Sequence, residues 1–121
     1  MTKTLFAVAA TLAAFGISGS ASAQGGAIRT AHAAYVQGDF AQAERVLIAE
    51  QRVFPNSPEV LVNLAAVYAR TGRMQQAAAL YRQVLNGEDV ALDLSADRTV
   101  SSHAIATTGL QRVSGLQTAA R

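Results

Sequence analysis

Residues 57–87 read SPEVLVNLAAVYARTGRMQQAAALYRQVLNG, and this stretch decides the fold. Ser57 is suited to capping the free amides of a helix, and Pro58 fits the first helical position, where a missing N–H costs nothing. Leu61, Leu64, Ala65 and Tyr68 then recur at i, i+3, i+4 and i+7, which makes one apolar stripe. Gly72 offers the positive φ that lets the chain leave this helix in a tight turn. Ala77, Leu80, Tyr81, Val84 and Leu85 repeat the helical period, and Asn86-Gly87 stops it. The stretch predicts two antiparallel helices that meet through alanines, close to the short end of the roughly 8–10 Å range of packed helices, with Tyr68 and Tyr81 filling the space beside them.

Working upstream, the same plan appears once more. Gly38 and Gly72 stand 34 residues apart, and that offset places Ala31 on Ala65, Phe40 on Met74, Ala43 on Ala77 and Leu47 on Tyr81. A helix from about Ala27 to Val36 puts Ala31, Ala34 and Tyr35 on one face. Asp39 followed by Gln42 is a variant of the capping box, opening a helix with Phe40, Ala43, Val46 and Leu47 turned inward. Pro55 closes the unit. Self-similarity at this period marks an array of helical hairpins.

These residues resemble the tetratricopeptide repeat family. The second unit carries its pattern in Leu64-Ala65, Tyr68, Gly72, Ala77, Tyr81 and Val84; the first carries it in Ala31, Gly38-Asp39-Phe40, Ala43, Leu47 and Pro55. Glu50 departs from it, standing where the family usually has a small residue, and predicts a looser end to its helix. The resemblance spans about Gln24 to Gly87 and implies an all-α fold: two tetratricopeptide-like helical hairpins, about 24–57 and 58–87, forming a fragment of an α-solenoid.

Beyond Gly87 the helical period disappears. Val90, Leu92 and Leu94 alternate with Asp89 and Asp93, an extended or edge-strand signature, and Glu88 and Asp97 add to the acidity, so 88–100 reads as an acidic, extended linker. Helical spacing returns after Ser101 or Ser102, with His103, Ala106, Leu110 and Val113 on one stripe until Gly115. Two hairpins leave an open apolar end. Residues 101–116 are therefore expected to form a capping helix, with a disordered tail at 117–121.

The first residues read differently. Lys3, the only lysine, precedes an apolar run from Leu5 to Ile17, then small residues and Ala21-Ser22-Ala23, which is the order of a secretory signal peptide cleaved after Ala23. The run falls short of the roughly 20 residues that span a bilayer. The expected product begins at Gln24, carries nine arginines against eight acidic residues, and is exported to a periplasmic or extracellular space. So even a balance gives no electrostatic case for nucleic acid. With no cysteine, the chain has no disulfide framework, thiol nucleophile or cysteine metal site.

No glycine-rich phosphate loop, nucleophile elbow or paired histidine-carboxylate motif occurs, so no catalytic residue is expected. His32 and His103 lack a second histidine or a cysteine at helical spacing, and the acidic stretch lacks the ordered ligands of a calcium loop, so neither metal nor cofactor is expected. The resemblance implies a partner surface on the concave face made by the first helix of each hairpin. That face maps to Ile28, Arg29, His32, Tyr35 and Val36 and to Val62, Asn63, Ala66, Ala69 and Arg70. Its expected occupant is a protein or peptide, held by guanidinium groups beside apolar surface. The expected function is thus a non-catalytic, exported adaptor or assembly factor; the alternative is a structural repeat module that self-associates or joins a larger envelope complex. The acidic stretch is further expected to be able to fold back over the arginines as a weak latch.

Overall fold

A computed structural model of the chain describes residues 23–95 and 97–119. The expected signal peptide, apart from Ala23, lies outside the described residues. Five helices and a small sheet follow one another as α1 (Ala23–Val36), α2 (Phe40–Val53), α3 (Pro58–Arg70), α4 (Met74–Asn86), β1 (Ala91–Ser95), β2 (Arg98–Ser101) and α5 (Ser102–Ala119). α1 packs on α2 and α3 on α4, each pair joined through a glycine turn, and α2 packs on α3 to stack the pairs.

The two turns are copies of each other in detail. Gly38 and Gly72 both adopt φ 82°, and no other described residue has a positive φ. In the first turn the Asp39 amide donates to the Ala34 carbonyl at 2.8 Å, and in the second the Arg73 amide donates to the Tyr68 carbonyl at 2.8 Å. Such bonds satisfy carbonyls that a helix end leaves free. The caps also follow the sequence. The Asp39 carboxylate accepts from the Gln42 amide at 3.1 Å, Ser57 caps α3, and Pro58 opens it. The Gln42 side chain does not complete a reciprocal box; its oxygen instead accepts from Arg45 at 2.6 Å.

Ala31, Ala43, Ala65 and Ala77 have no exposed surface, so the helices meet through these small residues as the 34-residue register requires. One core cluster runs from Ile28 to Val113 and takes in Leu47, Leu61, Leu64, Tyr81, Leu92 and Ala106. A second tie crosses between the hairpins. Arg73 at the start of α4 grips Glu44 of α2 with two hydrogen bonds, its Nη1 lying 3.0 Å from Oε2, while its guanidinium sits 4.6 Å from the centre of the Tyr68 ring.

Three expectations are corrected. Residues 88–100 are not a simple linker, because β1 and β2 pair antiparallel, with Leu92 opposite Val100 and Asp93 opposite Thr99. Leu92 is fully buried, which anchors a hairpin that would be marginal alone. The last helix does not stop at Gly115, and residues 117–119 of the expected tail continue α5. Nor does α2 loosen at Glu50, whose carbonyl accepts from the Phe54 amide at 2.8 Å as the helix runs on to Val53.

α5 lies against α4 and, less extensively, α3. It comes close to α4 at Gly109, where a Cβ would fall 2.6 and 2.7 Å from the Tyr81 Cε atoms. Asp89 secures its start: the carboxylate accepts from the His103 amide at 3.0 Å and the Ser102 hydroxyl at 3.3 Å. The bond from the His103 amide, first among several, holds the Asp89 carboxyl below its usual range. His103 Nε2 lies 2.8 Å from the Gly87 carbonyl, so this histidine ties α5 back to the end of α4.

Candidate functional site

α3 is the central helix, in contact with α2, α4 and α5, and every residue from Glu59 to Val67 is buried. A helix so placed has no free stripe over that length. The expected concave face is narrowed accordingly. Ile28, Val62 and Asn63 have no exposed surface and Ala66 keeps only 5 %, so these four belong to the packed interior. Arg29 and His32 are half-buried on α1, and burial lowers the pKa of His32, favouring its neutral ring.

The remaining four residues meet at one end of the molecule. Tyr35 and Val36 close α1, and Ala69 and Arg70 close α3, on the side where both helices run into their glycine turns. Val36 is 49 % exposed and Arg70 is exposed, while Tyr35 and Ala69 are half-buried. Phe40, which packs against the core as the sequence places it, is half-buried and also joins this cluster from the first turn of α2. Its ring meets Tyr35 edge-on with centroids 5.3 Å apart, and the Arg70 guanidinium lies 5.4 Å from its centre. A cation over an aromatic face is favoured by about 0.5–1 kcal/mol at such an open site. Burial pushes the Tyr35 hydroxyl up, and the nearby Arg70 charge pulls it the other way, which places the phenol within the electrostatic reach of the guanidinium. The result is a small platform: an aromatic pair, an exposed valine and a stacked cation.

The sequence did not mark Phe40 as a member because its place on the inward face of α2 reads as core, which it is only in part. Its place at the very start of α2, beside the Gly38 turn, is the signal that was present. Other apolar residues are exposed elsewhere, namely Val53 at 65 %, Phe54 at 38 % and Leu116 at 51 %, and among the described residues the Phe54 ring carries no stacked cation. An open concavity of about 520 Å³ lies at the opposite end of α3, lined by Asn56, Pro58, Leu61, Gln83 and Val84 among others. There the Gln83 amide is already committed to the Pro55 carbonyl at 3.2 Å.

Two carboxylates of the acidic stretch, those of Asp89 and Asp93, are engaged away from the arginines of the hairpins. Asp89 caps α5, Asp93 accepts from the Thr99 hydroxyl at 2.8 Å, and the stretch leaves α4 at Gly87, the end remote from Arg70. Thirteen helical residues at about 1.5 Å each separate the two ends of α3. Among the described residues no group of histidine, cysteine, aspartate or glutamate gathers in a way that could hold a metal ion. None of the described helices is long and apolar enough to cross a membrane.

The tetratricopeptide repeat family model matches residues 28–91, more than half of the chain. The chain belongs to the tetratricopeptide repeat family. Members of this family generally mediate protein–protein interaction and are typically non-catalytic. No curated protein and no solved structure matches the chain. The match runs through both hairpins and ends at the first residue of β1, so the rest of the sheet and α5 lie outside it.

Proposed function

We propose that this tetratricopeptide repeat protein is an exported adaptor or assembly factor that holds a protein partner on the surface at the ends of α1 and α3. The observation that carries the reading is the Arg70–Phe40–Tyr35 cluster, with the exposed Val36 following Tyr35 at the end of α1. Isolated exposed valines are ordinary, but an apolar side chain next to an aromatic-backed guanidinium has the composition of the anchoring spots of protein interfaces.

Export rests on Lys3, the apolar run Leu5–Ile17 and Ala21-Ser22-Ala23, the order of a cleavable secretory signal. Sequencing the N-terminus of the exported protein tests this; Gln24 as first residue is expected, and Met1 would refute cleavage.

The ends of the array favour the adaptor over a self-stacking structural module. In the second unit Val60, Leu64 and Val67 are buried, whereas their counterparts one repeat earlier are Gly26, Thr30 and Ala33, the last two exposed. On α5 the exposed residues include Ala104, Thr107, Thr108 and Gln111. Small or polar outer faces are what terminal repeats need to stay in solution. The test is recovery of partners from an envelope extract by the wild-type domain and by a Val36→Glu, Arg70→Glu variant shown to melt at the same temperature. Loss of the partners from the variant is expected; equal recovery would refute the surface.

A further inference from the structure

We infer that Arg70 is a receptor for a side-chain carboxylate of the partner, so that the bound segment is an extended, acidic-apolar stretch from within a chain. The inference rests on the proposed adaptor surface and adds the chemistry of its occupant. Two arginines lie close together in sequence and have opposite fates. Arg73 is consumed inside the fold by Glu44, and that is the ion pair among the described residues. Arg70 is exposed, and among the described residues no carboxylate lies within ion-pair distance of it. Its guanidinium carbon lies over the Phe40 ring, 5.4 Å from the centre, and Tyr35 meets the edge of that ring. Attraction to the ring favours this placement by about 0.5–1 kcal/mol at an open site. Arginine engages a carboxylate through two parallel hydrogen bonds, and the ring contact itself takes up no N–H donor.

The neighbouring surface sets the rest of the ligand. Val36, half exposed, offers contact to an apolar side chain, and Ala69 is too small to obstruct an approaching backbone. Capture of a chain terminus would call for further polar groups converging on the same spot. Asn63 has no exposed surface, and Arg29 is half-buried in the middle of α1, about two turns before Val36. One accessible guanidinium therefore matches one side-chain carboxylate flanked by apolar residues.

The test is a titration of the isotope-labelled exported domain, following backbone amides and arginine side-chain N–H resonances. The probes are end-blocked peptides Gly-Ser-Leu-Asp-Leu-Gly-Ser and the same peptide with Asn for Asp. The Asp peptide is expected to shift the Arg70 side-chain signal together with the amides of Val36 and Ala69, and to bind at least about tenfold more tightly than the Asn peptide, as loss of a charge-assisted pair implies. Arg70→Gln should abolish that preference, while Arg70→Lys retains part of it. Equal shifts from both peptides at Val36 and Ala69 would overturn the carboxylate assignment and leave the adaptor surface standing. Shifts confined to other faces, no shift at all, or self-association of the domain as the only event would overturn both.

Discussion

Replacing Gly109 with alanine tests how α5 is seated. In an ordinary helix the change is stabilising by about 1 kcal/mol, since alanine is the better helix former. Here the new methyl carbon would lie 2.6 and 2.7 Å from the Cε atoms of Tyr81, about 1 Å inside normal contact. Tyr81 is only 2 % exposed, so its ring has no solvent into which to retreat. Overpacking of this kind costs typically about 1–3 kcal/mol, which outweighs the helical gain and leaves a net loss of roughly 1–2 kcal/mol. Gly115 on the same helix is the control, because a Cβ there meets nothing within 4 Å. Gly115→Ala is therefore expected to stabilise, by up to about 1 kcal/mol. Urea unfolding followed by circular dichroism, supported by melting temperatures, distinguishes the two; 1 kcal/mol corresponds to about 4–8 °C in a domain of this size. In a Tyr81→Leu background the penalty at Gly109 should disappear. Equal stabilisation by both alanines in the wild-type background would refute the packing of α5 on α4.

Three further outcomes follow from the interior. A double-mutant cycle on Glu44→Ala and Arg73→Ala should give a coupling of about 1 kcal/mol, kept modest by the 23 % and 35 % exposure of the two side chains. The hydrogen bonds from Arg73, chiefly, hold the Glu44 carboxyl below its usual range, so the coupling is present above the ordinary carboxylate pKa and is lost as pH falls through the lowered one. Burial, chiefly, with the nearby Tyr35 adding to it, pushes Tyr81 up to about 12, so its contribution is intact below the usual phenol range and is lost as pH rises from about 10 to 12; the loss is about 2–3 kcal/mol, measured as alkaline unfolding alongside phenolate absorbance. Burial pushes the Glu50 carboxyl up, and its Oε2 has no hydrogen-bond partner among the described residues, so Glu50→Ala should stabilise at neutral pH by about 0.5–1 kcal/mol and by less once acid has protonated the wild-type side chain.

The legible parts of this fold are those fixed by local chemistry. A helix that must end in a left-handed residue announces itself by glycine, which is why Gly38 and Gly72 located both turns, and Ser57-Pro58 and Asp39 marked helix starts for equally local reasons. The alternation Val90, Leu92, Leu94 was legible as extended chain, but its pairing with 98–101 was not, because nothing local specifies a partner strand. Asp89 was read as part of a solvated acidic stretch; its task at the start of α5 depends on residues 102 and 103, which only the returning β-hairpin brings to it. Gly109 carried no signal at all, since a helical glycine reads as a weak point unless the ring that lies on it is known.

The expected site was half legible for a related reason. Helical period assigns Val62, Asn63 and Ala66 to one face of α3, but says nothing of what is packed against that face. The central position of α3 decides the matter: its accessible surface is pushed to the last turn, where Arg70 meets Phe40 from another helix. A cation stacked on a ring 30 positions earlier in the chain is a product of hairpin stacking, and no pattern within either helix contains it.

The central claim is that partners meet this protein at the junction of the α1 and α3 ends. In-cell photo-cross-linking tests it most directly, with a photoreactive amino acid placed at Val36, exposed at the end of α1, or at Thr107, exposed on α5. The account predicts a discrete adduct with a foreign protein from position 36 that is lost in the Arg70→Glu background, and none from position 107. Adducts from position 107 alone, or adducts from position 36 that consist only of a second copy of the chain, would contradict it.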